Sequence, residues 1–220
     1  MNEKKFLLGI IHEVKNSAGI LQGLMELLKR NLNRQEQKLT GEMSAEITHL
    51  SHILKRSAPL VNSPEFSIFT VQVAELLDRV IFLAQEDLLK KRITLEKRYK
   101  KDLPEIKGDP ELLQEAFLNL LSNGIEAMPK GGKFIIQAMP RDNFLQIEFI
   151  DSGAGIPREN LNKIFTPFFT TRKEGLGLGL PLVQKIIKKH RGEIKVKSEE
   201  GKGSKFIVSL PLKPRHCDPE

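Results

Sequence analysis

Over roughly the first sixty positions, apolar residues recur at three- and four-residue steps; beyond them, stretches of strict alternation appear. Phe6, Ile10, Val14, Leu21, Leu24 and Leu28 fall on one stripe, which predicts a helix from residue 3 to about residue 32. The polar break Asn31-Leu-Asn-Arg34 leads into a second helix, residues 35 to about 58, with Leu39, Met43, Ile47, Leu50 and Leu54 facing one way. Pro59 ends it, because proline lacks the N–H and restricts the residue before it. Two helices with a short connection make a hairpin that cannot bury both apolar stripes alone. A second copy completing a four-helix bundle, and hence a homodimer, is the expectation.

Residues 59–65, with Pro59, Asn62, Ser63 and Pro64, look like a linker, after which the pattern turns mixed. Phe66 to Val71 predicts a short strand, Gln72 to about Lys91 an amphipathic helix, and Ile93 to Tyr99 a strand. Asp109-Pro-Glu-Leu is a helix start, with Asp109 as N-cap, Pro110 at the first position and Glu111 near the positive end. That helix runs to about Met128. Lys133 to Met139 and Phe144 to Ile150 form a strand pair around Pro140-Arg-Asp-Asn143. A helix over Leu180 to His190 follows, then strands Glu193 to Ser198 and Lys205 to Leu210 around Gly201-Lys-Gly203. A sheet covered by helices on one face is the packing this order implies.

Composition narrows the class. The chain has 220 residues, 40% hydrophobic and 29% charged, enough for one medium domain or two small ones. No apolar run approaches the ~20 residues that span a bilayer, and no signal peptide opens the chain, so no membrane contact by this segment is expected. The single cysteine, Cys217, sits in a polar tail, which removes a disulfide frame or zinc cluster; a cytoplasmic, reducing setting is the default. The net charge of +7 is spread among 28 acidic residues and lacks interleaved aromatics, so no nucleic acid partner is expected. A phosphate ligand and an acidic protein partner account for the charge as well.

The densest chemistry lies between the strand ending at Asp151 and the helix beginning near Leu180. It reads Asp151-Ser-Gly-Ala-Gly-Ile-Pro157, then Ile164-Phe-Thr-Pro-Phe-Phe-Thr-Thr-Arg172, then Gly175-Leu-Gly-Leu-Gly-Leu180. Gly153, Gly155, Gly175, Gly177 and Gly179 let the backbone turn tightly and approach a ligand. A helix opening directly after glycines offers unpaired N–H groups to phosphate. Asp151 can accept a hydrogen bond from a base amino group. Neither glycine run fits the dinucleotide or phosphate-loop fingerprints, and one run alone would read as a turn. Two in order, with Pro-Phe-Phe between them, imply a nucleotide pocket under a lid.

Two polar motifs stand elsewhere. His12-Glu-Val-Lys-Asn16 lies in the first helix, with His12 and Asn16 on a shared face and Glu13 about a quarter-turn round. Such a histidine is ordinarily a surface or half-buried residue, yet a neutral imidazole beside a carboxylate can attack phosphorus. His49, His52, His190 and His216 carry no partner at useful spacing. Asn119 and Asn123 sit four apart on a helix otherwise built for packing. Such amides must be hydrogen-bonded within the fold or ligate something, and Mg2+ takes amide oxygens alongside phosphates and water.

In this combination the chain resembles the transmitter core of the two-component sensor histidine kinases. His12-Glu-Val-Lys-Asn resembles their phosphoacceptor box, Asn119 to Met128 the N box, and Asp151 to Pro157 the first glycine box. Ile164 to Arg172 resembles the F box, Gly175 to Leu180 the second glycine box, and Gly201-Lys-Gly-Ser-Lys-Phe206 the closing glycine motif. The Pro-Phe-Phe-Thr-Thr-Arg and Asn-Gly-Ile-Glu-Ala-Met forms resemble the subgroup that includes nitrogen-regulation kinases. The resemblance implies an α+β protein: a helical-hairpin dimerisation domain, a four-helix bundle in the dimer, followed by a Bergerat-type α/β sandwich that binds ATP. The expected boundaries are 1–60 for the hairpin, 61–65 for the linker, 66–213 for the ATP-binding domain and 214–220 for a tail.

The resemblance also implies roles. His12 matches the phosphorylated histidine, Glu13 the acid assisting it, and Asn16 the Thr or Asn implicated in dephosphorylating the regulator. Asn123 matches the Mg2+-coordinating asparagine, Asn119 the earlier one near the phosphates, and Asp151 the adenine-contacting aspartate. Gly153, Gly155, Gly175, Gly177 and Gly179 match the lid glycines, while Thr171, Arg172 and Lys173 fall where phosphate-facing lid residues occur. The chain departs from the pattern at Ser17, Leu176 and Ser204, where Pro, Thr and Thr are usual. The implied activity is ATP-dependent phosphorylation of His12 and transfer to an aspartate on the receiver domain of a response regulator. Eleven residues precede His12, fewer than an input-coupled helix needs, so a trimmed chain or a sensor located elsewhere is expected, with the parent attached to the inner face of the cell membrane as one arrangement. Gyrase-like and chaperone ATPases resemble this fold too, but place a water-activating Glu where Asn119 stands. A scaffold that has lost nucleotide binding is the other alternative; Asp151, Asn123 and the glycines argue against it.

Overall fold

The computed structural model describes residues 66–172 and 177–212, together with scattered helical positions between residues 14 and 47. The expected bounds of the two amino-terminal helices, the linker, the tail, and His12, Glu13, Asn16, Lys173 and Gly175 lie outside the described residues. The chain divides into two compact units, Met1–Glu65 and Phe66–Glu220.

In the first unit, Val14, Ser17 to Leu21, Gly23 and Leu24 are helical, as are Thr40, Gly41, Met43, Ser44 and Ile47. Ala18 and Ile47 are buried in one cluster. Leu21, Leu24 and Met43, from the predicted apolar stripes, remain exposed at 50%, 51% and 56%. Within a single chain the stripes are therefore only partly covered.

The second unit runs β1 (Phe69–Val71), α1 (Val73–Leu83), α2 (Gln85–Lys90), β2 (Ile93–Arg98), β3 (Ile106–Gly108) and α3 (Pro110–Glu126). It continues with β4 (Gly132–Arg141), β5 (Phe144–Asp151), a 3-10 turn (Arg158–Asn160), α4 (Gly179–Lys189), β6 (Glu193–Glu199) and β7 (Gly203–Pro211). Five strands form one sheet in the order β2-β4-β5-β7-β6, with β2 parallel to β4 and every other pair antiparallel. β1 and β3 make a separate antiparallel pair, Phe69 opposite Gly108 and Val71 opposite Ile106.

Alternation decides which face of the large sheet is covered. Phe134, Ile136 and Ala138 of β4, Leu145, Ile147 and Phe149 of β5, and Phe206, Val208 and Leu210 of β7 are all buried. α3 lies on this face between α1 and α4, and its Phe117 ring meets Phe149 with centroids 5.5 Å apart. Asp109 caps α3 as its sequence requires: the side chain accepts from the Glu111 and Leu112 amides, with Pro110 at the first helical position.

The structure corrects three sequence expectations. The helix over 72–91 is two helices broken at Ala84, whose N–H is shared between the Val80 and Ile81 carbonyls. Leu88 stays on the buried stripe of Val73, Leu77, Val80 and Ala84, and no glycine or proline announces the break. The loop Pro140 to Asn143 is tighter than expected, because Pro140 and Arg141 stay in β4 opposite Leu145 and Phe144. Only Asp142 and Asn143 turn the chain, with Asp142 at φ 52°, a conformation aspartate tolerates better than most residues. Finally, β3 is a strand with no sequence signal, since three residues pairing with the distant β1 leave no periodic trace.

Candidate functional site

The candidate side chains gather at one end of α3, where the helix meets the loop leaving β5. The loop is stitched to its surroundings by backbone bonds. Ser152 N–H donates to Lys133 O at 3.1 Å, Ala154 N–H to Ala127 O at 3.1 Å, and Gly201 N–H to Ala154 O at 2.7 Å. From the other side, Lys133 N–H donates to the Ser152 hydroxyl at 2.9 Å, and Ile156 N–H to the Ser198 hydroxyl at 2.9 Å. Strand β4, helix α3 and the β6–β7 turn thus fix the first glycine segment.

Asp151 ends β5 on the covered face, continuing the alternation of Ile147 and Phe149. Its carboxylate is buried, and Oδ1 accepts the Gly153 N–H at 2.8 Å. Ser204, its partner across the β5–β7 ladder, donates to it from backbone and side chain. Burial is the largest influence and pushes the Asp151 carboxyl above its ordinary value; the hydrogen bonds from Gly153 and Ser204 and the Arg172 charge offset part of the rise. A carboxylate so held is a fixed acceptor that gains from a further donor.

Asn123 sits in the C-terminal part of α3, and its amide Nδ2 is buried with no hydrogen-bond partner among the described groups. An orphaned buried donor is costly unless something outside the chain satisfies it. Arg172 reaches this end of the helix: Nη2 donates to Asn123 O at 2.9 Å and Nη1 pairs with the Glu126 carboxylate. A guanidinium over the last turn also suits the negative end of the helix. Asn119, one turn earlier, donates from Nδ2 to Glu115 O at 2.8 Å.

Two glycines are dictated by conformation. Gly155 has φ 69° and a Cβ there would strike the Glu199 carbonyl; Gly177 has φ 64° and a Cβ would strike Phe169. The Gly177 carbonyl accepts the Phe168 N–H at 3.0 Å, tying the aromatic segment to the second glycine run. Gly179 opens α4, whose N-cap, Leu178, supplies no side-chain cap. The first amides of that helix lack the oxygen that Asp109 gives to α3.

Asn123, Asp151, Gly153, Gly155 and Arg172 therefore lie together at one end of α3. Thr171 is exposed beside Arg172, and Gly177 and Gly179 frame the start of α4. Sequence reasoning did not pick out Ser198 and Glu126, since their roles depend on cross-strand register and on a contact spanning 46 residues. His190, taken in the sequence as lacking a partner, is buried: Nε2 accepts the Asp109 N–H at 2.9 Å and Nδ1 lies 2.8 Å from Ile186 O.

The donor set fits a nucleotide and a hard cation. Asp151 offers a buried acceptor for a base; Asn123 offers an unsatisfied donor for phosphate and a carbonyl oxygen for Mg2+. Among the described residues no three His, Cys, Asp or Glu side chains come together to hold a metal, so a cation here would take most ligands from phosphate and water.

A two-layer sandwich with this site defines a nucleotide-binding ATPase domain. Residues 108–214 match the family described as histidine kinase-, DNA gyrase B-, and HSP90-like ATPase. Sporulation kinase C of Bacillus subtilis (strain 168) is 37% identical over 206 residues, 93% of this chain and 48% of that protein. The solved catalytic domain of the histidine kinase ThkA is 34% identical, with a TM-score of 0.61 over 68% of this chain and 99% of that one. ThkA solved in complex with the response regulator protein TrrA superposes with a TM-score of 0.70 at 26% identity, covering 96% of this chain and 62% of that one. The chain belongs to the histidine kinase family, with an ATP-binding domain of this ATPase class. It spans about half the length of the curated relatives it matches. Among the described residues, no helix is long and apolar enough to cross a membrane.

Proposed function

We propose that this chain is the transmitter core of a sensor histidine kinase that phosphorylates His12 from ATP and passes the phosphoryl group to a response regulator. The observation that carries this reading is the buried Asn123 amide without a partner, set beside Arg172 and at the same end of α3 as Asp151. Asp151 would accept from the amino group of adenine. Asn123 and Asn119 would hold the phosphates, Asn123 with Mg2+ as well, and Thr171, Arg172, Lys173 and the uncapped start of α4 would face their negative charge. Mg2+, when bound, neutralises part of the charge that develops on the transferred group.

The neutral His12 imidazole is the nucleophile. Its nitrogen forms a bond to the γ-phosphorus as the bond to the bridging oxygen breaks, ADP leaves with the electron pair, and Glu13 takes the ring proton. Asn119 has no basic group and its amide nitrogen is bonded to Glu115 O, which favours transfer to His12 over water-activated hydrolysis. The phosphoryl group then moves to an aspartate of a receiver domain, the partner class with which ThkA was solved; Asn16 would support the reverse hydrolysis. The exposed Leu21, Leu24 and Met43 favour a homodimer in which a second hairpin covers them. This segment would act on the cytoplasmic side, and the forms at Pro167-Phe-Phe-Thr-Thr-Arg172 and Asn123-Gly-Ile-Glu-Ala-Met128 favour a kinase like those of the nitrogen-regulation subgroup.

Incubation with γ-labelled ATP and Mg2+ tests the reading. The wild-type chain should take up acid-labile label and hand it to a receiver domain, and His12→Gln should bind nucleotide yet stay unlabelled. Label retained by His12→Gln would refute the assignment.

A further inference from the structure

Phe66 and Ser67 open the second unit, and groups from distant parts of the fold hold them there. Ser67 N–H donates to Asp109 Oδ2 at 3.1 Å. The other oxygen of the same carboxylate, Oδ1, caps α3 through the Glu111 and Leu112 amides, both at 3.1 Å. A helix cap needs only one oxygen, so the second is spent on the chain's entry point. Behind it, Asp109 N–H donates to His190 Nε2 at 2.9 Å, and His190 Nδ1–H donates to Ile186 O at 2.8 Å. Donating at one nitrogen and accepting at the other fixes a neutral imidazole in one tautomer. The Phe66 ring stands edge-on to His190, centroids 4.9 Å apart at 88°, with Lys189 Nζ 5.0 Å from the Phe66 centroid. Gly108 leaves room for the imidazole, since a Cβ there would lie 2.6 Å from His190 Cδ2.

We infer that His190 and Asp109 form a clamp on Phe66–Ser67 that sets the direction in which the preceding segment leaves the ATP-binding unit, making His190 a positioning residue for phosphorylation of His12. This rests on the kinase reading above, in which acceptor and nucleotide belong to separate units and residues 59–65 are the expected linker between them. Reach is not what the clamp controls. Freeing two residues would lengthen a seven-residue tether to about nine and change effective concentration by less than about twofold. Orientation is worth more: a misplacement of about 1 Å, introduced far from the reacting atoms, can cost up to about a hundredfold in rate.

The test uses the full chain with Phe66→Ala, His190→Phe and His190→Gln. Phe66→Ala and His190→Phe should lower the rate of His12 labelling at saturating ATP about tenfold while leaving KM for ATP within about twofold. His190→Gln, whose amide can accept from Asp109 and donate to Ile186, should restore at least half the wild-type rate. Amide exchange at Ser67 should quicken in the two damaging variants, with Leu120 in the middle of α3 unchanged as the check on folding. Should His190→Phe unfold, the half-buried Phe66→Ala still decides the matter. Quickened exchange with unchanged labelling, or unchanged exchange at Ser67 in both, would overturn the proposal. If the wild type takes up no label at all, the kinase reading and the positioning role fall together, while the exchange measurement still shows whether the clamp itself exists.

Discussion

Replacing Asp151 with asparagine should separate binding from stability, because on the proposed reading the two depend on its charge with opposite sign. The carboxylate is buried, and burial raises its pKa above the ordinary carboxylate value. A raised acid is a cost to the folded chain at neutral pH, relieved only as pH falls through its folded pKa. Asp151→Asn removes that cost. Against this, asparagine has one oxygen in place of two: it can keep the Gly153 N–H but turns an NH2 toward Ser204, leaving a donor unsatisfied at about 1–3 kcal/mol. The terms oppose each other, so the change in Tm should be smaller than the about 2–12 °C that the unsatisfied donor alone would cost a protein of this size. Nucleotide affinity has no such compensation. A hydrogen bond to a charged acceptor contributes about 1.5–3 kcal/mol, so binding should weaken by about 10- to 150-fold. Calorimetric titration with a non-hydrolysable ATP analogue, beside thermal melts, gives both numbers. Affinity within about threefold of wild type, with Tm unchanged, would show that Asp151 does not contact the ligand.

Two further expectations concern the frame. Gly155→Ala forces a left-handed residue and a Cβ against the Glu199 carbonyl, and should cost at least about 2 kcal/mol, lowering Tm by about 4–8 °C in scanning fluorimetry. Burial holds His190 below its ordinary pKa, with Asp109 and Lys189 as the charged groups facing it. As pH falls below about 6.5, the unfolded chain takes a proton that the folded chain resists, so stability declines until the lower folded pKa is reached. Melts between pH 7.5 and 5.5 should therefore show a larger fall for wild type than for His190→Gln; equal falls would remove His190 as the cause.

What the sequence disclosed depended on whether the signal was local. Asp109-Pro110 predicted the start of α3 because a cap is settled within four residues, and the β-branched and aromatic run before Asp151 predicted a strand ending there because side-chain period follows from strand geometry. Asn123 was singled out as a polar group on an apolar helix, and its amide nitrogen is the one buried side-chain atom without a partner among the described residues. The misses are long-range. His190 carries no partner at local spacing because its partner is an amide 81 residues away, and nothing local marks Glu126 because Arg172 reaches it across 46. The break at Ala84 has no marker in composition, and the buried stripe through Val80, Ala84 and Leu88 runs on across it.

Arg172 offers the sharpest test of whether those long-range contacts serve chemistry or only packing. Its side chain is 39% exposed and that of Glu126 is 47% exposed, and an ion pair so open to water contributes about 0.2–1 kcal/mol. The bond to Asn123 O adds little more, because water can replace it at the helix end. If Arg172 were structural, Arg172→Ala would lower Tm by no more than about 4 °C and do nothing else. On the proposed reading, a guanidinium beside Asn123, at the end of α3 where phosphate would lie, would instead meet charge that grows during phosphoryl transfer. Losing one such donor typically costs about 10²–10³ in rate. Labelling of His12 should thus fall about a hundredfold in Arg172→Ala, with a small change in Tm and only a modest loss of nucleotide affinity. Arg172→Lys, which keeps the charge but loses the fork that spans Asn123 O and Glu126, should recover part of the rate. A labelling rate within about threefold of wild type in Arg172→Ala would assign the residue to the helix end alone.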